Sequence, residues 1–356
     1  MTPRLSHLLA QLHHHNLDAA LVQREENVRY LSGYTAGEAS LLIGPGIQVL
    51  ITDSRYTEMA ERQCPSFDVL TVAGAVTLWS EVERLAVYHD WKTLGIETTH
   101  CTIDWYDKAV HAWPFLQMKS MDAIFENMRM IKDAQEIAAI RRAQALTEQA
   151  FYHAQSCIRQ GVSELDISSE ISYYIHKRGG TLAFDTIVAS GPHSSMPHAQ
   201  PSMRKIQPGD FITIDMGARV DGYCSDMTRT FVLGKPTKEM EKIYAVVLQS
   251  QLYALDSIRP GMVCNEVDRI AHDYIAQNGY GDCFGHSLGH SFGLFIHEEP
   301  RFGPSCTQVL QPGMCLSVEP GIYLPGRFGV RIEDTVCITA DGYENLTHVP
   351  KEIILL

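Results

Sequence analysis

The sequence predicts two domains, a small α/β domain over residues 1–125 and an α+β domain with a pseudo-two-fold repeat over residues 126–356. Three observations predict this. Up to about residue 125, short apolar runs alternate with helix-period segments, the pattern of a layered α/β unit. From Asp133 onward the pattern changes to long amphipathic stretches. One motif then occurs twice, as "QPGDFITIDMG" from Gln207 and "QPGMCLSVEPG" from Gln311.

In the first domain, residues 18–22, 40–44, 48–52 and 68–72 read as strands, and residues 54–63 and 78–89 as helices. The amino-terminal stretch is amphipathic, and the His13–His15 run falls in a polar helix or turn at the surface. In the second domain a long helix starts at Asp133, with Ile137, Ile140, Ala143, Ala150 and Phe151 on one face. A second helix follows near residues 164–179 and stops at Gly179. Beyond it the pattern reads as strands and glycine-rich turns to the C-terminus.

Composition narrows the partners. The chain has 356 residues, 45% of them apolar, and a net charge of -13, so a basic face for nucleic acid or an anionic membrane is not expected. The most apolar run, "ASLLIGPGIQVLI", is broken by Gly44, Pro45 and Gly46 and is no membrane span. Nine cysteines are scattered without a C-x-x-C pair, which predicts reduced thiols in a cytoplasmic protein.

The repeated motif carries the chemistry. In the first copy Ile212, Ile214 and Met216 form one face, and Thr213 and Asp215 the other. Asp221-Gly222 is a favoured type I′ turn pair. It sets Val220 opposite Tyr223, Gly217 opposite Asp226 and Asp215 opposite Thr228. Asp215 and Asp226 become diagonal neighbours, roughly 7–8 Å apart at Cα. In the second copy Ser317 and Glu319 share a face, as do Arg331 and Glu333 in "GVRIED". The acids recur at nearly constant spacing, 104 residues from Asp215 to Glu319 and 107 from Asp226 to Glu333. Four carboxylates on otherwise apolar strands repel one another unless cations sit between them. One imidazole from His286, His290 or His297 would complete an oxygen-rich dinuclear site suited to Mn²⁺, Co²⁺ or Fe²⁺ rather than to structural Zn²⁺. Spacing alone does not choose among the three.

Five blocks together resemble the pita-bread metallopeptidases: "FDTIVASGPHSSMPHAQP", "IDMGARVDGYCSDMTRTF", "LGHSFGLFIHEEPR", "VEPGIYLPG" and "GVRIED". Within that family they are most similar to the Xaa-Pro dipeptidase (prolidase) and aminopeptidase P branch. "NVRYLSGYT" and "ITDSRYTEMA" resemble its creatinase/prolidase-like N-terminal domain. The resemblance implies a pita-bread catalytic domain holding two divalent ions per chain, Mn²⁺ or Co²⁺ first, with Fe²⁺ and Zn²⁺ as further candidates. Asp215, Asp226, His290, Glu319 and Glu333 would be the metal ligands, Asp226 and Glu333 bridging. Glu319, His198 and His297 would be catalytic, as proton shuttle, pocket wall and oxyanion partner. Tyr323, Arg301 and Arg331 would face the substrate, with Tyr323 closing the pocket and Arg331 orienting Glu333 or the substrate. Some positions depart from the pattern. "HAQ" replaces His-Gly-Val, Met216 replaces an aromatic, and Ser291 and Phe295 stand where Gly and Glu are common; none removes a ligand.

The implied activity is metal-dependent hydrolysis of the peptide bond before proline in small peptides, within a homodimer. Arg301 matches the prolidase arginine that meets a dipeptide's free carboxylate, so a dipeptidase is favoured, with aminopeptidase P as the alternative. A methionine aminopeptidase and a non-catalytic module on the same fold fit less well. The extra N-terminal domain argues against the first, and the filled ligand positions against the second.

Overall fold

Thr2 and Pro3 start the first helix in the computed structural model, which describes residues 2–356. Thr2 Oγ1 accepts from Leu5 N, and Pro3 occupies the first turn, where its missing N–H costs nothing. This helix is α1 (Pro3–His14), and the His13–His15 run lies exposed at its end. It is followed by β1 (Ala19–Val22), α2 (Glu25–Ser32), β2 (Ala39–Gly44), β3 (Ile47–Asp53), α3 (Thr57–Gln63) and β4 (Asp68–Val72). Then come α4 (Leu78–Tyr88), β5 (Thr93–Ile96), α5 (Ile103–Ala112), β6 (Gln117–Ser120) and α6 (Asp122–Met130). The strands form one sheet ordered β4-β3-β2-β1-β5-β6. Strand β2 runs antiparallel to both neighbours, and the other pairs are parallel. Leu21, Leu42, Val82, Ala86, Leu94 and Trp113 fill its core. The four expected strands are present. The helix expected from residue 54 begins later, at Thr57, because Asp53 O first accepts from Tyr56 N in a turn.

Contacts divide the chain after Met128, and the second unit runs from Arg129 to Leu356. It opens with α7 (Ala134–Cys157), started by a reciprocal cap between Asp133 and Glu136, and α8 (Glu164–Lys177), started by one between Ser163 and Asp166. Next are β7 (Thr181–Leu182), β8 (Ile187–Ser190), β9 (Phe211–Met216), β10 (Ala218–Val220), β11 (Tyr223–Cys224) and β12 (Met227–Val232). Two further helices, α9 (Lys238–Ser257) and α10 (Cys264–Gln277), correct the expectation of strands and turns alone after Gly179. The chain ends with β13 (Gly289–Ser291), β14 (Glu298–Phe302), β15 (Cys315–Val318), β16 (Gly321–Leu324), β17 (Phe328–Arg331), β18 (Asp334–Ile338), β19 (Tyr343–Asn345) and β20 (Ile354–Leu355).

The two halves of this unit repeat. Each has a helix pair joined by Ile-Arg-x-Gly (Ile158–Gly161 and Ile258–Gly261), with the glycine at φ 84° in one and 89° in the other. Gly161 N donates to Ile206 O and Gly261 N to Leu310 O, just before the two Gln-Pro-Gly turns. Helices α7 and α8 cover β9 and β12 through Phe151, Ile171, Ile214 and Phe231. Helices α9 and α10 cover the second copy through Val247, Ala271, Leu316 and Val336. The main sheets are ordered β20-β12-β9-β8 and β14-β13-β15-β18-β19, with β16 and β17 as a separate pair.

Arg229 stitches the halves together. Fully buried, it donates from Nη1 to Thr228 O and Glu333 O, from Nη2 to Asp334 Oδ1 (2.8 Å) and Val349 O (2.6 Å), and from Nε to Pro350 O (3.0 Å). With Glu333 N donating to Thr228 O (3.1 Å) and Thr230 Oγ1 to Arg331 O (3.0 Å), β12 of the first copy lies along residues 331–333 of the second. That alignment brings the two sets of acids together.

Candidate metal centre

The hairpin register is the expected one. Asp221 and Gly222 have φ of 50° and 82°, as a type I′ turn requires, Val220 pairs with Tyr223 and Asp215 with Thr228. Every residue of β9 and β12 is buried, so the face that carries Thr213 and Asp215 is packed rather than open to solvent. The ladder also breaks at Gly217, where an added Cβ would lie 2.1 Å from Ser225 O. Asp226 sits in this break, immediately before β12.

Asp215, Asp226 and Glu333 each present a carboxylate oxygen within 4.8 Å of the others. His290 Nε2 approaches Asp226 Oδ2 (3.6 Å) and Glu319 Oε1 (3.4 Å) from the other side. The five expected donors therefore converge. Their supports are specific. Arg331 Nη2 donates to Asp215 Oδ2 (2.6 Å), Thr228 Oγ1 to Glu333 Oε2 (2.7 Å) and Ser317 Oγ to Glu319 Oε1 (3.0 Å). The ring of His290 is set by the backbone, since Nδ1 lies 3.1 Å from Ser291 O. With Nδ1 protonated and donating there, Nε2 keeps its lone pair toward the acids.

A cation fits this set. Asp215 Oδ1 and Glu333 Oε1 are buried without a hydrogen-bond partner, although the second oxygen of each carboxylate is held. Such orphaned acceptors are costly unless a ligand takes them up. The donors are four carboxylates and one imidazole, a set for divalent cations that prefer oxygen with some nitrogen. Without a cation, burial pushes the Asp226 carboxyl well above its ordinary value, helped by Glu333, Asp215 and Glu319. Burial does the same to Glu333, with Glu319 and Asp215 adding to it. Glu319 is pushed to about 7 by burial and Asp215, against the pull of Arg331. Burial lowers His290 to about 3, so its ring is neutral and able to ligate at neutral pH.

The centre lies in the wall of a cavity of about 870 Å³ that His198, His297 and Arg301 also line. The rings of His290 and His297 meet edge to face at 4.6 Å. Burial, Arg301 and His198 lower the pKa of His297. Arg301 is exposed, with Nε 3.4 Å from Glu299 Oε1. Phe184, Ile187, Phe284 and Ile296 supply apolar wall.

Two placements differ from expectation. Arg331 reaches Glu333 only through the Thr228 hydroxyl, and its direct carboxylate partner is Asp215. It is 3% exposed and donates to Asp215, Tyr323 OH (2.9 Å), Thr228 Oγ1 (3.1 Å) and Pro197 O (3.3 Å). Tyr323 does not close the pocket, because it is buried between Arg331 and His286 Nε2 (2.9 Å). His286, which does line the cavity, was the histidine without an assigned role. Its only sequence signal was the four-residue spacing to His290. Lys132 and Arg129 were also missed. They pair with buried Glu298 at 3.3 and 2.7 Å, and Lys132 Nζ donates to Ser291 Oγ (3.0 Å), fixing the residues that follow His297 and His290. Nothing in local periodicity marks those partners, which come from elements more than 150 residues apart.

Residues 138–340 match the model of metallopeptidase family M24, and residues 4–131 that of the creatinase/prolidase N-terminal domain. The chain is 35% identical to a Xaa-Pro dipeptidase of Pyrococcus horikoshii, over 99% of each chain. Its structure is similar to that of a Xaa-Pro dipeptidase from Bacillus anthracis (TM-score 0.95, 38% identity, 99% of each chain). It is similar also to an X-Pro aminopeptidase from Thermotoga maritima (TM-score 0.91, 34% identity, 99% of this chain and 100% of that one). Among the described residues no helix is long and apolar enough to cross a membrane.

Proposed function

The chain belongs to metallopeptidase family M24, and from that premise we propose that it is a metal-dependent peptidase that cleaves the bond before proline, acting chiefly on Xaa-Pro dipeptides. The observation that carries the reading is the convergence of five donors, two with orphaned buried oxygens, in the wall of a cavity that also presents histidines and an arginine.

Two divalent ions held by Asp215, Asp226, His290, Glu319 and Glu333 would polarise the scissile carbonyl and make a water acidic enough to attack near neutral pH. The chain's own groups do the rest. Glu319, whose Oε1 is anchored by Ser317, takes the proton of the attacking water at its carboxylate. It returns that proton to the prolyl nitrogen as the C–N bond breaks, leaving a free carboxylate and proline. His297, kept neutral at pH 7 by its lowered pKa, donates an N–H to the developing oxyanion. His198 stands exposed on the cavity rim and closes over bound peptide. Arg331 and Tyr323 act through Asp215 and His286, as positioning groups. Mn²⁺ or Co²⁺ suits the donor set best.

Arg301 supports the dipeptidase reading. Its guanidinium reaches the cavity and, among the described residues, makes one long contact, to Glu299, so it can fork onto a substrate carboxylate. The aminopeptidase reading is kept because the Thermotoga maritima neighbour carries that name. The test is cleavage of Xaa-Pro dipeptides and of longer Xaa-Pro peptides by chelator-stripped, Mn²⁺-reloaded and Arg301→Ala protein. Arg301→Ala should raise KM for dipeptides and spare longer peptides. Faster cleavage of longer peptides by the unmodified protein would overturn the dipeptidase reading, and no metal-restored cleavage of either would overturn the proline peptidase itself. The nine cysteines, none of them in a disulfide among the described residues, support a cytoplasmic site of action. The family resemblance supports a homodimer, to be checked by sedimentation.

A further inference from the structure

A second cluster of ligand-type side chains lies away from the cavity, on the first helix pair of the second unit. His153 and Cys157 stand one turn apart on α7, so their side chains leave the helix on the same face. Glu170 meets them from α8. His153 Nε2 is 2.9 Å from Glu170 Oε2 and 4.0 Å from Cys157 Sγ, and the three ligand atoms all lie within 4.8 Å of one another.

The geometry points to a built site rather than a chance meeting of polar groups. Zinc bonds of about 2.0–2.3 Å in a tetrahedron place ligand atoms ~3.5 Å apart. The observed separations bracket that value, so small side-chain rotations reach it. The His153 ring is braced by Tyr174, one turn beyond Glu170, which stacks on it at 4.7 Å with 24° between planes. The Arg178 guanidinium packs in turn over Tyr174, 3.5 Å from the ring centroid. The His153 and Glu170 side chains are 28% and 48% exposed, so ions can enter and a water can fill a fourth position. None of the three lines the cavity or takes part in the proposed reaction.

We propose that His153, Cys157 and Glu170 bind a borderline-soft divalent cation, Zn²⁺ above all, which clamps α7 to α8. Nitrogen, sulfur and carboxylate oxygen in one set suit zinc, whereas Mn²⁺ and Mg²⁺ avoid thiolate. Binding ionises the thiol and releases its proton to solvent, and thiolate plus carboxylate then neutralise the cation.

The site differs in chemistry from the centre in the cavity, whose five donors include no sulfur, and that difference supplies the test. Full-length protein is stripped with chelator, reloaded with Co²⁺ and freed of excess metal. The expected result is a thiolate-to-cobalt charge-transfer band in the near ultraviolet, abolished by Zn²⁺ competition and absent from Cys157→Ser. Elemental analysis should give one more cobalt per chain in the unmodified protein than in Cys157→Ser. Glu170→Gln, a surface change, should keep the band and weaken cobalt binding. Absence of the band from the unmodified protein, its persistence in Cys157→Ser, or equal cobalt content in both would overturn the proposal. Peptidase activity is not the readout, so the outcome stands apart from the function proposed above.

Discussion

Replacing Thr228 with valine removes one hydroxyl and leaves a residue of nearly the same shape in a fully buried strand. That hydroxyl donates to Glu333 Oε2 (2.7 Å) and accepts from Arg331 Nε (3.1 Å). The Arg331 contact is made by a charged group whether or not metal is bound, so its loss weakens both forms alike. The Glu333 contact is different. Without metal, burial and its acidic neighbours push the carboxyl well above its ordinary value and so favour its protonated form. With metal the same group must be ionised. A hydrogen bond to a neutral partner contributes about 1 kcal/mol and one to a charged partner about 1.5–3 kcal/mol. The difference, about 0.5–2 kcal/mol, is a two- to thirtyfold loss of metal affinity at about 1.4 kcal/mol per factor of ten. The independent range for outer-shell partners of metal ligands, about 10–100-fold, overlaps it. The assay is a Mn²⁺ titration against a competing chelator, paired with urea unfolding of the metal-free protein. Thr228→Val should bind Mn²⁺ roughly tenfold more weakly and lose about 1–3 kcal/mol of metal-free stability. Unchanged Mn²⁺ affinity alongside lowered stability would refute the reasoning, because Glu333 would then not be the group that metal binding ionises.

Two other substitutions separate ligand from scaffold. Asp226→Asn should abolish peptidase activity and the rise in Tm that Mn²⁺ gives the unmodified protein. It should leave metal-free stability within about 1 kcal/mol, since an amide replaces a carboxyl whose neutral form burial already favours. A loss of several kcal/mol in chelator would show that Asp226 is ionised and paired without metal. Glu298→Gln should cost about 3–5 kcal/mol at neutral pH, because Lys132 and Arg129 stay buried without their counter-charge. Burial acts to raise the Glu298 pKa, but Lys132 and Arg129 outweigh it and hold the carboxyl below its ordinary value of 4.5. Its contribution is therefore complete above that ordinary value and disappears as pH falls through the folded-state value. Urea midpoints of the two proteins should converge in acid, and a gap that stays constant or widens there would contradict the ion-pair account.

The acids were legible because a strand's two-residue period puts Asp215 opposite Ile214 and Met216, and because the duplicated motif repeats the pattern. The turn pair Asp221-Gly222 gave the register as well. Burial of the polar face was not legible, since alternation in one copy says nothing about the other copy packing against it. Helices α9 and α10 were missed for a related reason. Ser250 and Gln251 interrupt the apolar stripe of α9, yet both are fully buried. The Gln251 amide donates to Val318 O (3.0 Å) and Ile332 O (3.2 Å), so a polar side chain serves as core filling exactly where the acid-bearing segments need support. Arg331 was read by its neighbour Glu333, whereas its guanidinium reaches Asp215, 116 residues away. Pairings at that range are decided by how the halves dock.

The docking of those halves bears on when an ion can arrive. Asp215 and Glu333, two of the three acids that face one another most closely, lie in different copies of the repeat. While the nascent chain is still leaving the ribosome, the first copy offers only Asp215 and Asp226, and the cage is incomplete until the second copy docks. Apolar collapse has to finish first, with protons standing in on the crowded acids. Loading is then an exchange of protons for cations by a completed fold, and which cation enters is decided by what the surroundings hold at that moment.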